Sequence, residues 1–324
     1  MRHINKHAAY SLALATLCAF ASPGARADDT LKVAVGQLTT WENQMTLLGQ
    51  DAGIFKKYGI VIENFGTNGA GETLQAVISG SADIGIGMGT PGAMRAFVRG
   101  APVRVLAPAF TGSGDLYWYV RADSPIKTLQ DATPNNTIAY STNGSSTHST
   151  VLGFGKELGM KAKPTSTGGP PATLTMVMSN QIDIGWASPP FGLKEIEEGK
   201  IRVLARGSDV PSTRNQTVRV QIVNADALKN RKDVIERFMK GYREAVEWMY
   251  SNPQALKMYA EKMKIPEPLI AKALPQSHPR SSMQMEKLSE VDSIMADAVT
   301  NKFLEKPMTK EQLAEFYPNS ELGK

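Results

Sequence analysis

Residues 69–92 read GAGETLQAVISGSADIGIGMGTPG, and residues 169–192 read GPPATLTMVMSNQIDIGWASPPFG. Each segment predicts an amphipathic helix, then a residue that tolerates the left-handed conformation (Gly80 or Asn180), then a short apolar strand that starts at Asp-Ile-Gly. A unit of about 100 residues that occurs twice indicates two similar α/β lobes, because a solenoid requires three or more stacked units. The matching positions are Gly69/Gly169, Thr73/Thr173, Leu74/Leu174, Val77/Val177, Ser79/Ser179, Asp83/Asp183, Ile84/Ile184, Gly85/Gly185 and Gly92/Gly192.

The chain around the repeat alternates strands and helices in the manner of a parallel sheet. Alternating strands over residues 116–121 and 217–223 lead the chain out of the first lobe and back into it, with hinges near 119–123 and 217–222. We therefore predict a discontinuous lobe 1, a continuous lobe 2 and a helical C-terminal part. The lobes comprise residues 28–119 with 222–324, and residues 120–221. The C-terminal helices are predicted over residues 226–250, 253–263, 266–274 and 283–303.

The first 27 residues have the pattern of a secretory signal peptide. Arg2 and Lys6 precede an apolar stretch over residues 8–21, and Ala25-Arg26-Ala27 forms an A-x-A cleavage site. We expect cleavage after Ala27 and a periplasmic, soluble mature chain. The one cysteine, Cys18, would be lost with the signal, so the mature chain would contain no disulfide and no cysteine nucleophile.

The charge of the mature chain does not indicate nucleic-acid binding. The sequence contains 36 Lys+Arg and 31 Asp+Glu residues, and the predicted signal carries three of the basic ones and no acidic one. The mature balance is therefore 33 against 31, or +2, whereas a nucleic-acid partner calls for a concentrated basic face. We expect a monomer without a nucleic-acid partner.

Ligands of open α/β sheets bind beyond the carboxyl ends of the strands, and this rule selects four loops. The loop over residues 143–148 opens a helix with hydroxyls and free N–H groups, which favours the binding of an anion. Simple N-capping of the helix by Ser145 or Ser146 also explains these residues. A second loop offers Trp41, which would either stack on a ligand or be buried in the lobe. The other two loops would offer a Thr90 or Ser188 hydroxyl, or be plain turns. The candidate ligand-binding residues are Gln37, Thr39, Thr40, Trp41, Asn43, Gly89, Thr90, Asn143, Ser145, Ser146, Thr147, Ser188 and Pro189.

Other patterns do not favour catalysis. Residues 87–92 match G-x-G-x-x-G but lack the acidic residue that a dinucleotide site has about 20 positions later. His148 and His278, the histidines that follow the signal, have no sequence neighbour at metal-ligand spacing. Arg219 would be either an ion-paired or solvated arginine or an additional charge near the hinge. We expect no cofactor, no metal and no catalytic residue.

Several stretches resemble one family of proteins in the order that the family has them. These are GIFKKYGI (53–60), SGSADIGIGMGTP (79–91), VRADSPIKTLQD (120–131), GSSTH (144–148) and IDIGWASPPF (182–191). The chain resembles the solute-binding proteins of ABC importers in the NitT/TauT group, which serve taurine, aliphatic sulfonates and nitrate. It also resembles the thiamine-pyrimidine group built on the same NMT1/THI5-like domain.

The resemblance implies a two-lobed periplasmic-binding-protein fold of type II. Each lobe would contain a parallel-type sheet flanked by helices, and the ligand would lie between the lobes. It further implies capture of a small, anionic organic solute, sulfonate-, carboxylate- or nitrate-like, and its delivery to an ABC permease. Two alternatives stay open: an enzyme or binding protein related to thiamine-pyrimidine synthesis, and a periplasmic ligand sensor.

Overall fold

The structure is a computed structural model that describes residues 28–318. The predicted signal peptide and its cleavage site after Ala27 lie outside these residues. Ten β-strands and twelve α-helices are present in the described part of the chain. None of the helices between residues 28 and 318 combines the length and the apolar character that crossing a membrane requires.

The first sheet has five strands in the order β2-β1-β3-β10-β4. Strand β1 pairs in parallel with its neighbours β2 and β3, whereas β10 runs antiparallel to β3 and β4. Leu31, Val33 and Val35 of β1 are buried in one hydrophobic cluster, and Ala34 is buried in another, because helices cover both faces of the sheet. The strands are β1 (Asp29–Gly36), β2 (Ile60–Thr67), β3 (Ile84–Gly89), β4 (Val103–Thr111) and β10 (Thr217–Asn224).

The second group of strands lies between β4 and β10 in the sequence. β5 pairs antiparallel with β8 and β9, and β6 pairs in parallel with β7. A single parallel bridge between Ile138 and Ile184 connects the two pairings. These strands enclose a hydrophobic cluster of their own, in which Trp118 packs edge-on against Phe154. The strands are β5 (Tyr117–Arg121), β6 (Thr137–Tyr140), β7 (Lys163–Ser166), β8 (Gly185–Ala187) and β9 (Ile201–Arg206).

Helices alternate with the strands and then dominate the C-terminal part, as the sequence predicts. The first six are α1 (Met45–Asp51), α2 (Ala70–Ile78), α3 (Thr90–Val98), α4 (Ser146–Leu158), α5 (Pro170–Met178) and α6 (Leu193–Glu197). The last six are α7 (Ala225–Asn230), α8 (Lys232–Ser251), α9 (Pro253–Met263), α10 (Glu267–Ser277), α11 (Val291–Thr300) and α12 (Lys310–Phe316).

The duplicated segment forms the same helix–turn–strand unit twice. Gly80 after α2 has φ +74°, and Asn180 after α5 has φ +58°, so the predicted left-handed helix ends are confirmed. The shared aspartates have equivalent partners, since Asp83 accepts a hydrogen bond from the N–H of Lys32 and Asp183 accepts one from the N–H of Thr137.

Two of the C-terminal predictions are wrong in their boundaries. The pattern over residues 226–250 is broken at Arg231, whose guanidinium bonds Asp83 and the Thr30 carbonyl, so α7 and α8 are separate helices. The pattern over residues 283–303 yields a helix only at α11. Met283 is buried and forms a β-bridge with Phe110, so this part of the chain is extended.

The strand pairings show that the chain passes between the two groups of strands a few residues earlier than the sequence predicts. Because β5 already pairs in the second group and β10 in the first, the connecting segments are residues 112–116 and 207–216. The lobe boundaries at 119/120 and 221/222 remain a proposal. The connections are close to those boundaries, and they bring the carboxyl ends of β1, β3, β6 and β8 towards one another.

Candidate functional site

A small cavity lies where the strand ends of the two groups face each other. Its volume is about 30 Å³, room for one or two water molecules. Gln37 and Asn43 line it from the first group, and Ser146 and Ser188 line it from the second. Seven of the predicted residues thus come together here, namely Gln37, Thr40, Asn43, Ser145, Ser146, Thr147 and Ser188.

Glu42 and Arg219 form the floor of this cavity, and each contacts a buried partner behind it. Arg219 Nη2 lies 2.7 Å from Asp115 Oδ1, and His278 Nε2 lies 2.7 Å from Glu42 Oε2. Arg219 also stacks on the ring of Phe110, with its guanidinium carbon 4.5 Å from the ring centre. The alternative of an ion-paired Arg219 is therefore correct, and the ion pair is buried rather than solvated.

Burial and charge act in opposite directions on the two carboxyl groups. Burial would raise the pKa of Glu42, but the facing His278 and Arg219 outweigh it and lower this pKa to about 2. For Asp115 burial prevails over the attraction of Arg219, and the nearby Glu42 adds to it, so the pKa of Asp115 is raised. The site therefore contains one firmly ionised carboxylate and one that protonates more readily.

The loop before α4 brings its hydroxyls to the cavity through a network of its own. Ser145 is the N-cap of this 13-residue helix, and its Oγ accepts a hydrogen bond from the N–H of His148 at 3.1 Å. Thr147 Oγ1 accepts one from the N–H of Ser141 at 2.9 Å. Ser146 Oγ instead faces Arg219 Nη1 at 3.3 Å. The N-capping interpretation is confirmed for Ser145, whereas anion binding at this loop stays a prediction, which the contact of Ser146 with Arg219 allows.

The loop after β1 is held in place by its own side chains. Asn43 Nδ2 donates to the Gly36 carbonyl at 2.6 Å and to Thr40 Oγ1 at 2.9 Å. Trp41 is 2% exposed and packs edge-on against Tyr259 with ring centres 5.0 Å apart, so the buried alternative is the one that the structure adopts. Thr39 lies away from the cavity, and its carbonyl accepts the hydroxyl of Tyr259.

The other predicted residues do not line the cavity. Thr90 is fully buried and its Oγ1 donates to the Thr217 carbonyl at 2.6 Å. A side chain at Gly89 would overlap the backbone of Gly144 and Ser145, so this glycine permits a close approach of two loops. Asn143 Oδ1 accepts the Tyr140 hydroxyl at 2.7 Å. Pro189 precedes a cis bond to Pro190 beside Ser188.

The sequence does not indicate Glu42, Asp115 and His278 as site residues. His278 has no sequence neighbour at metal-ligand spacing, but in the structure Glu42 is its partner over a separation of 236 residues. His148 also has a neighbour, since it stacks on Tyr140 with ring centres 4.1 Å apart, and burial lowers its pKa to about 4. The one signal that could have indicated the floor is Arg219, a charge within the apolar strand TVRVQIV (217–223).

Three residues at and behind the floor are close enough together to bind a metal ion, but the neighbouring groups do not favour a cation. Single ligand atoms of Glu42, Asp115 and His278 lie within 4.8 Å of one another. Arg219 is already in contact with Asp115, however, and His278 with Glu42, so each carboxylate has a partner. A guanidinium at this distance opposes a divalent cation by direct repulsion. We assign no metal to this cluster.

The strand order and the cavity between the two groups of strands define a periplasmic-binding-protein fold. The sequence profile described as NMT1/THI5 like matches residues 43–256, about two thirds of the chain. The protein belongs to the NMT1/THI5-like family. No curated protein matches the chain in a sequence search.

Solved structures share the fold at low sequence identity. The periplasmic aliphatic sulphonate binding protein SsuA from Escherichia coli is 20% identical, with a TM-score of 0.67 over 88% of this chain and 91% of that one. The periplasmic nitrate-binding protein NrtA from Synechocystis PCC 6803 is 15% identical, with a TM-score of 0.65 over 88% and 84%. The desulfurization enzyme DSZB is also 15% identical, with a TM-score of 0.61 over 90% and 98%. At these identities the likeness concerns the fold.

Proposed function

We propose that this protein is the solute-binding component of an ABC importer and that it binds a small anionic organic solute in the cavity. The observation that carries the proposal is Arg219, a buried guanidinium that faces the hydroxyl of Ser146 at the start of α4. Among the described residues its Nε has no hydrogen-bond partner. A buried guanidinium beside a helix N-terminus suits a sulfonate, a carboxylate or nitrate.

Capture would proceed by closure of the two lobes. A cavity of about 30 Å³ is too small for an organic solute, so the lobes have to separate for its entry. A solute that contacts Arg219 from the first lobe and Ser146 from the second would favour the closed arrangement, because it makes both sets of contacts only there. We place the hinges within residues 112–116 and 207–216, which connect the two groups of strands.

The fold neighbours support transport over catalysis, since two of the proteins above are named as periplasmic binding proteins. We propose that the chain is exported, is cleaved after Ala27 and works in the periplasm as a monomer that delivers its solute to an ABC permease. The mass of the exported protein tests the cleavage, because the mature chain would start at Asp28.

A thermal-shift screen tests the proposed function. Ethanesulfonate, nitrate, benzoate and uncharged heterocycles are added to the purified protein, and we expect an anion to raise the melting temperature, since a ligand that binds only the folded state stabilises it. Small-angle scattering with the same anion should show a smaller radius of gyration. Stabilisation by heterocycles alone would contradict the anionic class, and turnover of any of these compounds would contradict the binding role.

A further inference from the structure

The guanidinium of Arg219, which lines the cavity proposed for the solute, already has an anionic partner that belongs to the protein. Asp115 Oδ1 lies 2.7 Å from Arg219 Nη2, and the Asp115 side chain has no exposed surface. The guanidinium that would attract the solute is therefore neutralised before the solute arrives. A solute anion has to displace Asp115 from Arg219 or add its charge beside it.

The ionisable groups that face Asp115 come from three separate elements. Arg219 lies on β10, Glu42 in the turn between β1 and α1, and His278 directly after α10. Ser188, after β8, adds a hydroxyl whose Oγ lies 3.4 Å from Asp115 Oδ2. An incoming anion would meet two carboxylates in a site screened from water, where repulsion between like charges is strong.

We infer that Asp115 takes up a proton when an anionic solute binds Arg219, so that the site captures the anion together with one proton. The inference rests on the proposed function. The proton comes from solvent and forms an O–H bond on the carboxylate, which then releases the guanidinium to the solute. The resulting carboxylic acid is a hydrogen-bond donor, and Ser188 Oγ is within its reach.

The environments of the two carboxyl groups favour Asp115 over Glu42 as the proton acceptor. Burial already raises the pKa of Asp115, and transfer of Arg219 to the solute removes the main influence that lowers it. Glu42 is also buried, but it keeps its contact with His278, and its pKa is about 2. Protonation of Asp115 thus requires a smaller further rise in pKa than protonation of Glu42.

The sign of the pH dependence follows from this linkage. The pKa of Asp115 is higher in the complex than in the free protein, so the complex binds more protons. Below the free-protein pKa the affinity is highest and constant. Between the two pKa values the affinity falls by up to about tenfold per pH unit as the pH rises, and above both values it is lowest and constant.

Calorimetric titration tests the inference directly. The probe is the tightest binder among ethanesulfonate, nitrate and benzoate, titrated in buffers of equal pH but different ionisation enthalpy. We expect uptake of close to one proton per bound anion between the two pKa values. Asp115→Asn should abolish the uptake and the pH dependence of Kd, and at high pH it should bind the anion at least as tightly. Asp123→Asn, which alters an exposed carboxylate just after β5, should retain both.

Different results would contradict the proton uptake, its assignment to Asp115, and the proposed function. Binding without proton uptake at any pH, or uptake that persists in Asp115→Asn, overturns the inference alone. Loss of uptake in Glu42→Gln but not in Asp115→Asn makes Glu42 the acceptor and overturns the assignment. A carboxyl NMR titration of Asp115 in the wild-type protein avoids any variant that fails to fold, and its pKa has to rise when the anion is added. A panel in which no anion binds overturns the proposed function as well.

Discussion

The two copies of the repeat build matching scaffolds and supply different chemistry. In the first copy Thr73 Oγ1 meets Thr67 Oγ1 at 2.6 Å, and in the second Thr173 Oγ1 meets Thr167 Oγ1 at 2.7 Å. The loops at the strand ends have no such correspondence. The first half of the fold brings the charged floor around Arg219, whereas the second half brings the hydroxyls around Ser146. Duplication has thus preserved the units that pack, and the loops beyond the strands carry the binding chemistry.

Arg219 is the charged residue that most distinguishes the two halves. Its replacement should have the largest effect on both stability and solute binding. Arg219→Met leaves Asp115 and Glu42 buried without this cation, which should cost about 3–5 kcal/mol of unfolding free energy. Solute binding should weaken by roughly a hundredfold or more, because a hydrogen-bonded buried charge is lost. Chemical denaturation and calorimetric titration measure the two effects.

Two controls accompany that variant. Arg121→Met removes a partly exposed arginine on β5 of the other sheet and should leave solute binding unchanged. Adding Asp115→Asn to Arg219→Met should restore part of the lost stability, because it neutralises one of the stranded carboxylates. A double variant no more stable than Arg219→Met would show that the loss comes from packing on Phe110 rather than from charge.

Replacement of Ser146, which belongs to the half of the fold that supplies the hydroxyls, should weaken solute binding less than replacement of Arg219. Ser146→Ala should weaken solute binding about tenfold, the value of one hydrogen bond to a charged group. Ser146→Asp should be worse, since its carboxylate would compete with the solute for Arg219. Calorimetric titration compares both with Ser145→Ala, which removes the helix N-cap and should act mainly on stability. If Ser146→Asp binds like the wild type, the negative group of the solute is not at this loop.

The scaffold threonines should respond equally in the two copies. Thr73→Val and Thr173→Val each remove a buried hydroxyl, and each should lower the unfolding free energy by about 1 kcal/mol. The loss is moderate because the carbonyls of Gly69 and Gly169 keep a hydrogen bond from the threonine N–H. Denaturation curves measure both, with the exposed Thr175→Val as a control. A cost confined to one copy would mean that the two units no longer have equivalent structural roles.

Sequence alone predicted the features that depend on local patterns. The helix ends at Gly80 and Asn180, the alternation of strands and helices, and the hydroxyl loop before α4 all follow from residue type and spacing. The position of the cavity at the strand ends also follows, because topology determines it. Seven of the thirteen candidate residues line that cavity for this reason.

The remaining features depend on contacts between distant parts of the chain. The partner of His278 is Glu42, 236 residues away, and no spacing rule connects them. The sequence also does not say which way a hydroxyl turns, and Thr90 turns inward to the Thr217 carbonyl. Residues 283–303 have helical periodicity, but burial of Met283 against Phe110 prevails over it.

The smallest effect is expected where the copies differ in sequence but not in conformation. Gly80 and Asn180 both have positive φ, and an added Cβ at Gly80 would meet no atom of the described residues within 4 Å. Gly80→Asn and Asn180→Gly should therefore each change the unfolding free energy by less than about 0.5 kcal/mol, since both residues tolerate this conformation. Gly80→Val is the contrast, because a β-branched residue in the left-handed region should cost roughly 1–2 kcal/mol. Denaturation of the three variants decides the matter. If Gly80→Asn destabilises as much as Gly80→Val, the turn of the first copy requires glycine for a reason other than its φ angle, and the two copies are less equivalent than their backbones indicate.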